Sequence, residues 1–214
     1  MSSHRAVEVE SPFGVLFVCT GNICRSPIAE RLTRAFLDEA VGADAALVRI
    51  ESAGTRAVVG SGVHPDSSAV LTSLGGDPGG FIARQLIDEY AAAADLTLTL
   101  TRAHRRSVLN RAPRALSRTF TLREAADLAS LVPSDVELPG ETFPERCRSF
   151  VREMAAARAR RATDAHDDIA DPIGQPATVH SAVGDEIADG VLRLFGRLAV
   201  LSPAPSGAGL LSGR

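Results

Sequence analysis

A cysteine separated by five residues from an arginine-serine pair, Cys19-Thr20-Gly21-Asn22-Ile23-Cys24-Arg25-Ser26, has the residue types needed to hold an oxyanion over a nucleophilic sulfur. Arg25 offers a planar fork of donors to two anion oxygens. Backbone N–H groups of Thr20, Gly21, Asn22, Ile23, Cys24 and Ser26 can supply the rest of a cradle. Gly21 lets the chain bend close to a ligand, and Asn22 tolerates a left-handed backbone and can brace the turn with its amide. Positive surroundings, with a hydroxyl from Ser26 or Thr20, would keep Cys19 as a thiolate, the nucleophilic form.

Such a loop works only between elements that fix both its ends. The apolar run Phe13 to Val18 reads as a buried strand, and Pro27 fits the first turn of a helix reaching about Ala40, so Cys19 falls on a strand-to-helix turn. The positive end of that helix then points at the anion. Within the helix, Glu30 and Arg34 are placed to pair at i,i+4. Further strands are expected over 46–52, 95–101 and 117–122, and helices over 65–74, before Tyr90, and over 103–110, 123–131, 145–161 and 179–201. Residues 133–144 read as a proline-containing acidic connection. Strands alternating with helices imply an α/β fold, a doubly wound four-stranded parallel sheet with helices on both faces and its ligand site at the carboxyl ends of the strands. A single domain is expected over 13–201, with a disordered leader over 1–12 and a disordered tail over 202–214.

The string Cys-Thr-Gly-Asn-Ile-Cys-Arg-Ser-Pro-Ile-Ala-Glu resembles the phosphate loop of the low-molecular-weight protein tyrosine phosphatases, a family related to an arsenate reductase branch. Ser52, in Glu51-Ser52-Ala53-Gly54-Thr55, matches the family serine that supports the loop asparagine, and Ala83-Arg84-Gln85-Leu86 matches a further stretch. The resemblance implies Cys19 as nucleophile, Arg25 as phosphate binder and Asp171 of Asp171-Pro172 as the acid that protonates the leaving group and then activates water. Asp168 is the next candidate for that role. The implied substrate is a phosphotyrosine-containing protein or another aryl phosphate. Three departures stand out. Phe81 occupies a position where the family often has a histidine buttressing the asparagine, Arg56-Ala57-Val58-Val59 offers no aromatic cleft wall, and Ile173-Gly174 stands where the family's vertebrate members have two tyrosines. Cys24 either forms a reversible disulfide with Cys19, as the resemblance implies, or simply fills the loop.

Composition narrows the choices. All 23 basic residues are arginine, so Schiff-base chemistry and a Walker-type nucleotide loop, which use lysine, are excluded. A net charge of -3 gives no global basic field for nucleic acid, although seven arginines and no acidic residue lie between Arg102 and Arg123. Such a run reads as a solvated helix face before it reads as a docking patch. The three cysteines have neither disulfide-framework nor zinc spacing, and His64 reads as a solvated loop residue. The expectation is a cytoplasmic enzyme with no metal or cofactor, no membrane or nucleic-acid partner, and a monomeric or weakly dimeric state. An arsenate reductase coupled to a small-molecule thiol and a non-catalytic oxyanion-binding module are the rivals.

Overall fold

Strand β1 (Phe13–Cys19) is buried along its whole length, which fits an apolar run with no polar face. Its side chains alternate between two cores, as strand geometry requires. Phe13, Val15, Phe17 and Cys19 enter the larger one, while Leu16 and Val18 enter the smaller one on the opposite face. Three more strands, β2 (Val48–Gly54), β3 (Leu96–Thr99) and β4 (Thr119–Thr121), complete a parallel sheet of order β2-β1-β3-β4. The computed structural model describes residues 11–161 and 166–203. Residues 1–10 of the expected leader and 204–214 of the expected tail lie outside them, as do 162–165.

The larger core is covered by α1 (Arg25–Val41), α5 (Leu122–Leu131), α6 (Phe143–Ala157) and α7 (Ala177–Ala199), through residues such as Ile28, Leu128, Phe150 and Phe195. The smaller is covered by α3 (Asp88–Ala93) and α4 (Arg102–Arg111), through Ala91 and Val108. The expected doubly wound α/β fold is therefore present. Helix α2 (Pro65–Ser73) lies against α7 at Gly184, where an added Cβ would stand 2.2 Å from Val70 Cγ1. That close approach brings the start of α2 and the first turns of α7 together behind α1.

Several boundaries differ from the sequence reading, each for a local reason. Gly42–Leu47 forms a 3-10 helix, so the second strand begins at Val48 rather than residue 46. Helix α6 starts at Phe143 because Thr142 and Glu145 form a reciprocal capping box, with Pro144 inside the first turn rather than in the preceding connection. The Glu30–Arg34 pair is not made. Arg34 reaches Asp38 and the carbonyls of Ala45 and Val48, while Glu30 accepts from Ser52.

Candidate active site

At the carboxyl end of β1 the chain leaves Cys19 and enters α1 at Arg25 through a loop most of whose carbonyls are engaged by the segments around it. Thr55 N–H donates to Cys19 O, Arg56 N–H to Thr20 O, Val58 N–H to Gly21 O and His64 N–H to Ile23 O, at 2.7–2.9 Å. With the carbonyls engaged outward, the loop amides are left to point inward, and α1 carries no side-chain cap on its orphan N–H groups. This wrapping requires Gly54 at the end of β2, because a Cβ there would lie 2.5 Å from Thr20 O and 2.9 Å from Ala57 Cα. Asn22 takes the left-handed conformation expected of it, φ 55°.

Cys19 Sγ is buried at the base of the loop, 3.3 Å from the donating Asn22 N–H and 3.0 Å from Ser26 Oγ. Ser26 Oγ already accepts from Asn22 Nδ2 at 2.9 Å, which leaves its own hydrogen free to face the sulfur. Of the two hydroxyls expected near Cys19, Ser26 therefore takes the role and Thr20 does not. Asn22 is held at three further points, through Nδ2 to Ser26 and Ser52 and through Oδ1 from Arg84 N–H at 2.9 Å. Replacement of the family histidine by Phe81 leaves this bracing intact. Phe81 instead lies beneath the Arg31 guanidinium.

Ser52 joins the loop to a buried carboxyl, accepting from Asn22 Nδ2 at 2.8 Å and donating to Glu30 Oε2 at 2.6 Å. Burial raises the Glu30 carboxyl above its usual range and the Ser52 hydrogen bond opposes that shift. Ser52→Ala strips a partner from both groups, so it should cost about 1–3 kcal/mol in urea denaturation.

Asp171 arrives from the far end of the chain. Ile169 N–H donates to Leu100 O at 2.9 Å, Arg25 Nη1 donates to Ile169 O at 3.1 Å, and Arg25 Nη2 meets Asp171 Oδ2 at 2.5 Å. Asp171 Oδ1 accepts from Ile173 N–H, which shapes the turn at Pro172. Asp168 faces elsewhere, pairing with Arg102. The half-exposed Asp171 carboxylate overlooks a cleft of about 230 Å³ that also holds Cys19, Ile23, Arg56, Val58 and Ile173. Among the described residues no aromatic side chain lines it, as the sequence led one to expect.

One site residue was not found from sequence. His104 Nε2 lies 2.9 Å from Thr20 Oγ1 and its Nδ1 lies 2.9 Å from Thr101 Oγ1, so the ring is a strut between the α4 cap and the first residue after the nucleophile. Burial, with the charge of Arg25 beside it, lowers the His104 pKa to about 4. The unfolded chain protonates this ring near pH 6.5 and the folded chain only near 4. Its contribution to stability is therefore complete above pH 6.5 and is lost as pH falls toward 4, by about 3 kcal/mol. Denaturation of the native chain and His104→Gln across that interval should show the variant with the flatter slope.

The arginine run of 102–123 is largely engaged. Arg102, Arg111 and Arg123 pair with Asp168, Asp88 and Glu186, and Arg105 and Arg118 donate to backbone carbonyls. Cys147 is buried in the larger core.

Comparison with known proteins agrees with this geometry. The sequence model of the low molecular weight phosphotyrosine protein phosphatases matches residues 14–153. The low molecular weight protein-tyrosine-phosphatase Wzb of Escherichia coli K12 is 36% identical over 99 residues, 46% of this chain and 62% of Wzb, so the match spans under two thirds of that relative. A protein-arginine-phosphatase of Geobacillus stearothermophilus is 30% identical over 187 residues, covering 87% of this chain and 97% of the relative. The solved structure of the YwlE arginine phosphatase from that organism superimposes with a TM-score of 0.62 at 29% identity, over 88% of this chain and 94% of the other. With its loop, its parallel sheet and these matches in agreement, the chain belongs to the low molecular weight phosphotyrosine protein phosphatase family.

Proposed function

We propose that the protein hydrolyses phosphotyrosine-type phosphomonoesters in two steps without a metal ion. The Cys19 thiolate attacks phosphorus while Arg25 and the loop amides of Thr20 to Ser26 hold the equatorial oxygens. As the ester P–O bond breaks, the Asp171 carboxylic acid gives its proton to the departing phenoxide. In the second step the Asp171 carboxylate removes a proton from water, the resulting hydroxide attacks phosphorus, and the sulfur leaves as thiolate. The observation that carries this reading is the Arg25–Asp171 contact, which sets the Asp171 carboxylate beside the loop facing Cys19's cleft.

A phosphoarginine substrate is the second reading, favoured by the long match to the protein-arginine-phosphatase. The cleft argues against it. Ile23, Val58 and Ile173 suit an aryl ring, whereas a substrate guanidinium would meet Arg56 and find, among the described residues, Asp171 as its sole carboxylate. We place the enzyme in the cytoplasm as a monomer or weak dimer, in one domain over 13–201, acting on phosphoproteins and not on nucleic acid or membranes. No helix among the described residues is long and apolar enough to cross a membrane. The test is turnover, with a metal chelator present, of matched phosphotyrosine and phosphoarginine peptides and of arsenate with a small thiol. Faster release from phosphotyrosine supports the proposal, release only from phosphoarginine transfers it to the second reading, and thiol-dependent arsenate reduction assigns the chain to the reductase branch. No turnover of any of them leaves an oxyanion-binding module.

A further inference from the structure

Behind the phosphate loop, away from the substrate cleft, three ligating side chains from three elements converge. Cys24 ends the loop, His64 precedes α2 and His180 lies in the first turns of α7. One ligand atom from each, the Cys24 sulfur and one nitrogen from each imidazole, lies within 4.8 Å of the others. The two rings stack with centroids 5.0 Å apart. His180 is 1% exposed, and its Nε2 is buried without a hydrogen-bond partner among the described residues, as is His64 Nδ1. Two orphaned imidazole nitrogens beside a thiol are costly unless something binds there.

The surroundings suit a cation. Asp66 Oδ2 is 3.9 Å from both orphaned nitrogens and can supply a fourth ligand. Ser67 Oγ, fully buried, lies 2.9 Å from His180 Nδ1. In the tautomer protonated at Nδ1, Ser67 accepts from that nitrogen and the Nε2 lone pair is left for the cluster, as with outer-shell partners of metal-bound histidines. His64 is partly exposed and opens a path for entry.

We infer that Cys24, His64, His180 and Asp66 form a site for a thiophilic divalent ion of the zinc class, which braces the back of the phosphate loop against α2 and α7. One sulfur and two imidazole nitrogens are borderline-soft donors of the kind zinc takes, and a carboxylate oxygen from Asp66, near both nitrogens, can complete four-fold coordination. As the sulfur–metal bond forms, the Cys24 thiol releases its proton to solvent, and the thiolate and carboxylate together balance the two positive charges. Burial holds that thiol protonated in the free protein, up to about 11, so binding must displace its proton. The ion takes no part in the hydrolytic steps. It ties Cys24, and Ile23 through the His64 N–H, to two helices.

The test uses the full chain carrying Cys19→Ser, so that the nucleophile cannot serve as ligand, titrated with Co²⁺ under reducing conditions. One equivalent should bind with a thiolate-to-cobalt charge-transfer band and tetrahedral ligand-field bands, Zn²⁺ should displace it, and Zn²⁺ should raise the Tm. His64→Ala, a loop position that spares the buried helix, should weaken binding by about a hundredfold or more, at or beyond the loss caused by deleting an outer-shell partner. Cys24→Ala should abolish the charge-transfer band. No band in the Cys19→Ser chain would overturn the inference. So would a band that survives Cys24→Ala, or an affinity indifferent to His64→Ala. None of these readouts depends on turnover.

Discussion

Cys19→Ser should abolish hydrolysis of an aryl phosphate, lowering kcat by roughly 10⁴-fold or more, as deletion of a catalytic nucleophile does elsewhere. The substitution keeps a polar atom at the base of the loop but replaces a thiolate by a hydroxyl that has no adjacent general base. Ser26 cannot serve as one, because its oxygen already accepts from Asn22 and its hydrogen faces the nucleophile. His104 cannot either, since its nitrogens lie on Thr20 and Thr101. Arg25 and the loop amides are untouched, so the variant should bind inorganic phosphate about as well as the native chain in a competition assay. Loss of turnover with anion binding retained isolates the chemical step. Turnover within tenfold of native would remove Cys19 from the mechanism, and loss of both properties would mean that the loop itself had collapsed.

The phosphate loop was legible in the sequence because its parts are contiguous. Strand, turn residues, arginine and helix start lie within one short stretch whose backbone geometry follows from Gly21, Asn22 and Pro27. Asp171 was legible for another reason. The family resemblance singles out an Asp-Pro pair late in the chain, which the pair alone could not do beside Asp77-Pro78, and its meeting with Arg25 spans 146 residues. Ser52 became legible through its neighbours, and the structure adds what the pair cannot tell, that Glu30 lies on its far side.

His104 and the Cys24–His64–His180 cluster left no such trace. Thr20 and His104 are 84 residues apart, and Ser67 and His180 are 113 apart, so no local spacing links them. Their approach depends on how α4 packs on the sheet and on how closely Gly184 lets α7 lie against α2. The Glu30–Arg34 misreading has the same origin. Helical spacing makes that pair available, and tertiary partners with buried oxygens outcompete an exposed ion pair of small worth. Strand limits shifted because short apolar runs read alike in strand and 3-10 helix, as at Ala46 and Leu47.

Asp171→Asn should lower kcat by about 10²–10⁴-fold, the range for removing a positioned general acid or base, and the size of the loss should depend on the leaving group. Phenyl phosphate departs as a basic phenoxide that needs the proton, whereas a nitrophenyl phosphate departs as a stabilised anion that needs it less. The variant should therefore lose more with the first ester than with the second. Asp171 is also the partner of Arg25, and its neutralisation frees that guanidinium for the anion, so phosphate should inhibit the variant at least as strongly as the native enzyme. A carboxylate that only positioned Arg25 would give equal losses for both esters and weaker inhibition, the opposite on each count. Asp168→Asn supplies the control. Its carboxylate is committed to Arg102 on the protein surface, so its removal should leave kcat nearly unchanged with both esters. If instead Asp168→Asn showed the leaving-group dependence, the proton would come from Asp168, and the loop from Ile169 to Ile173 would have to move before reaction.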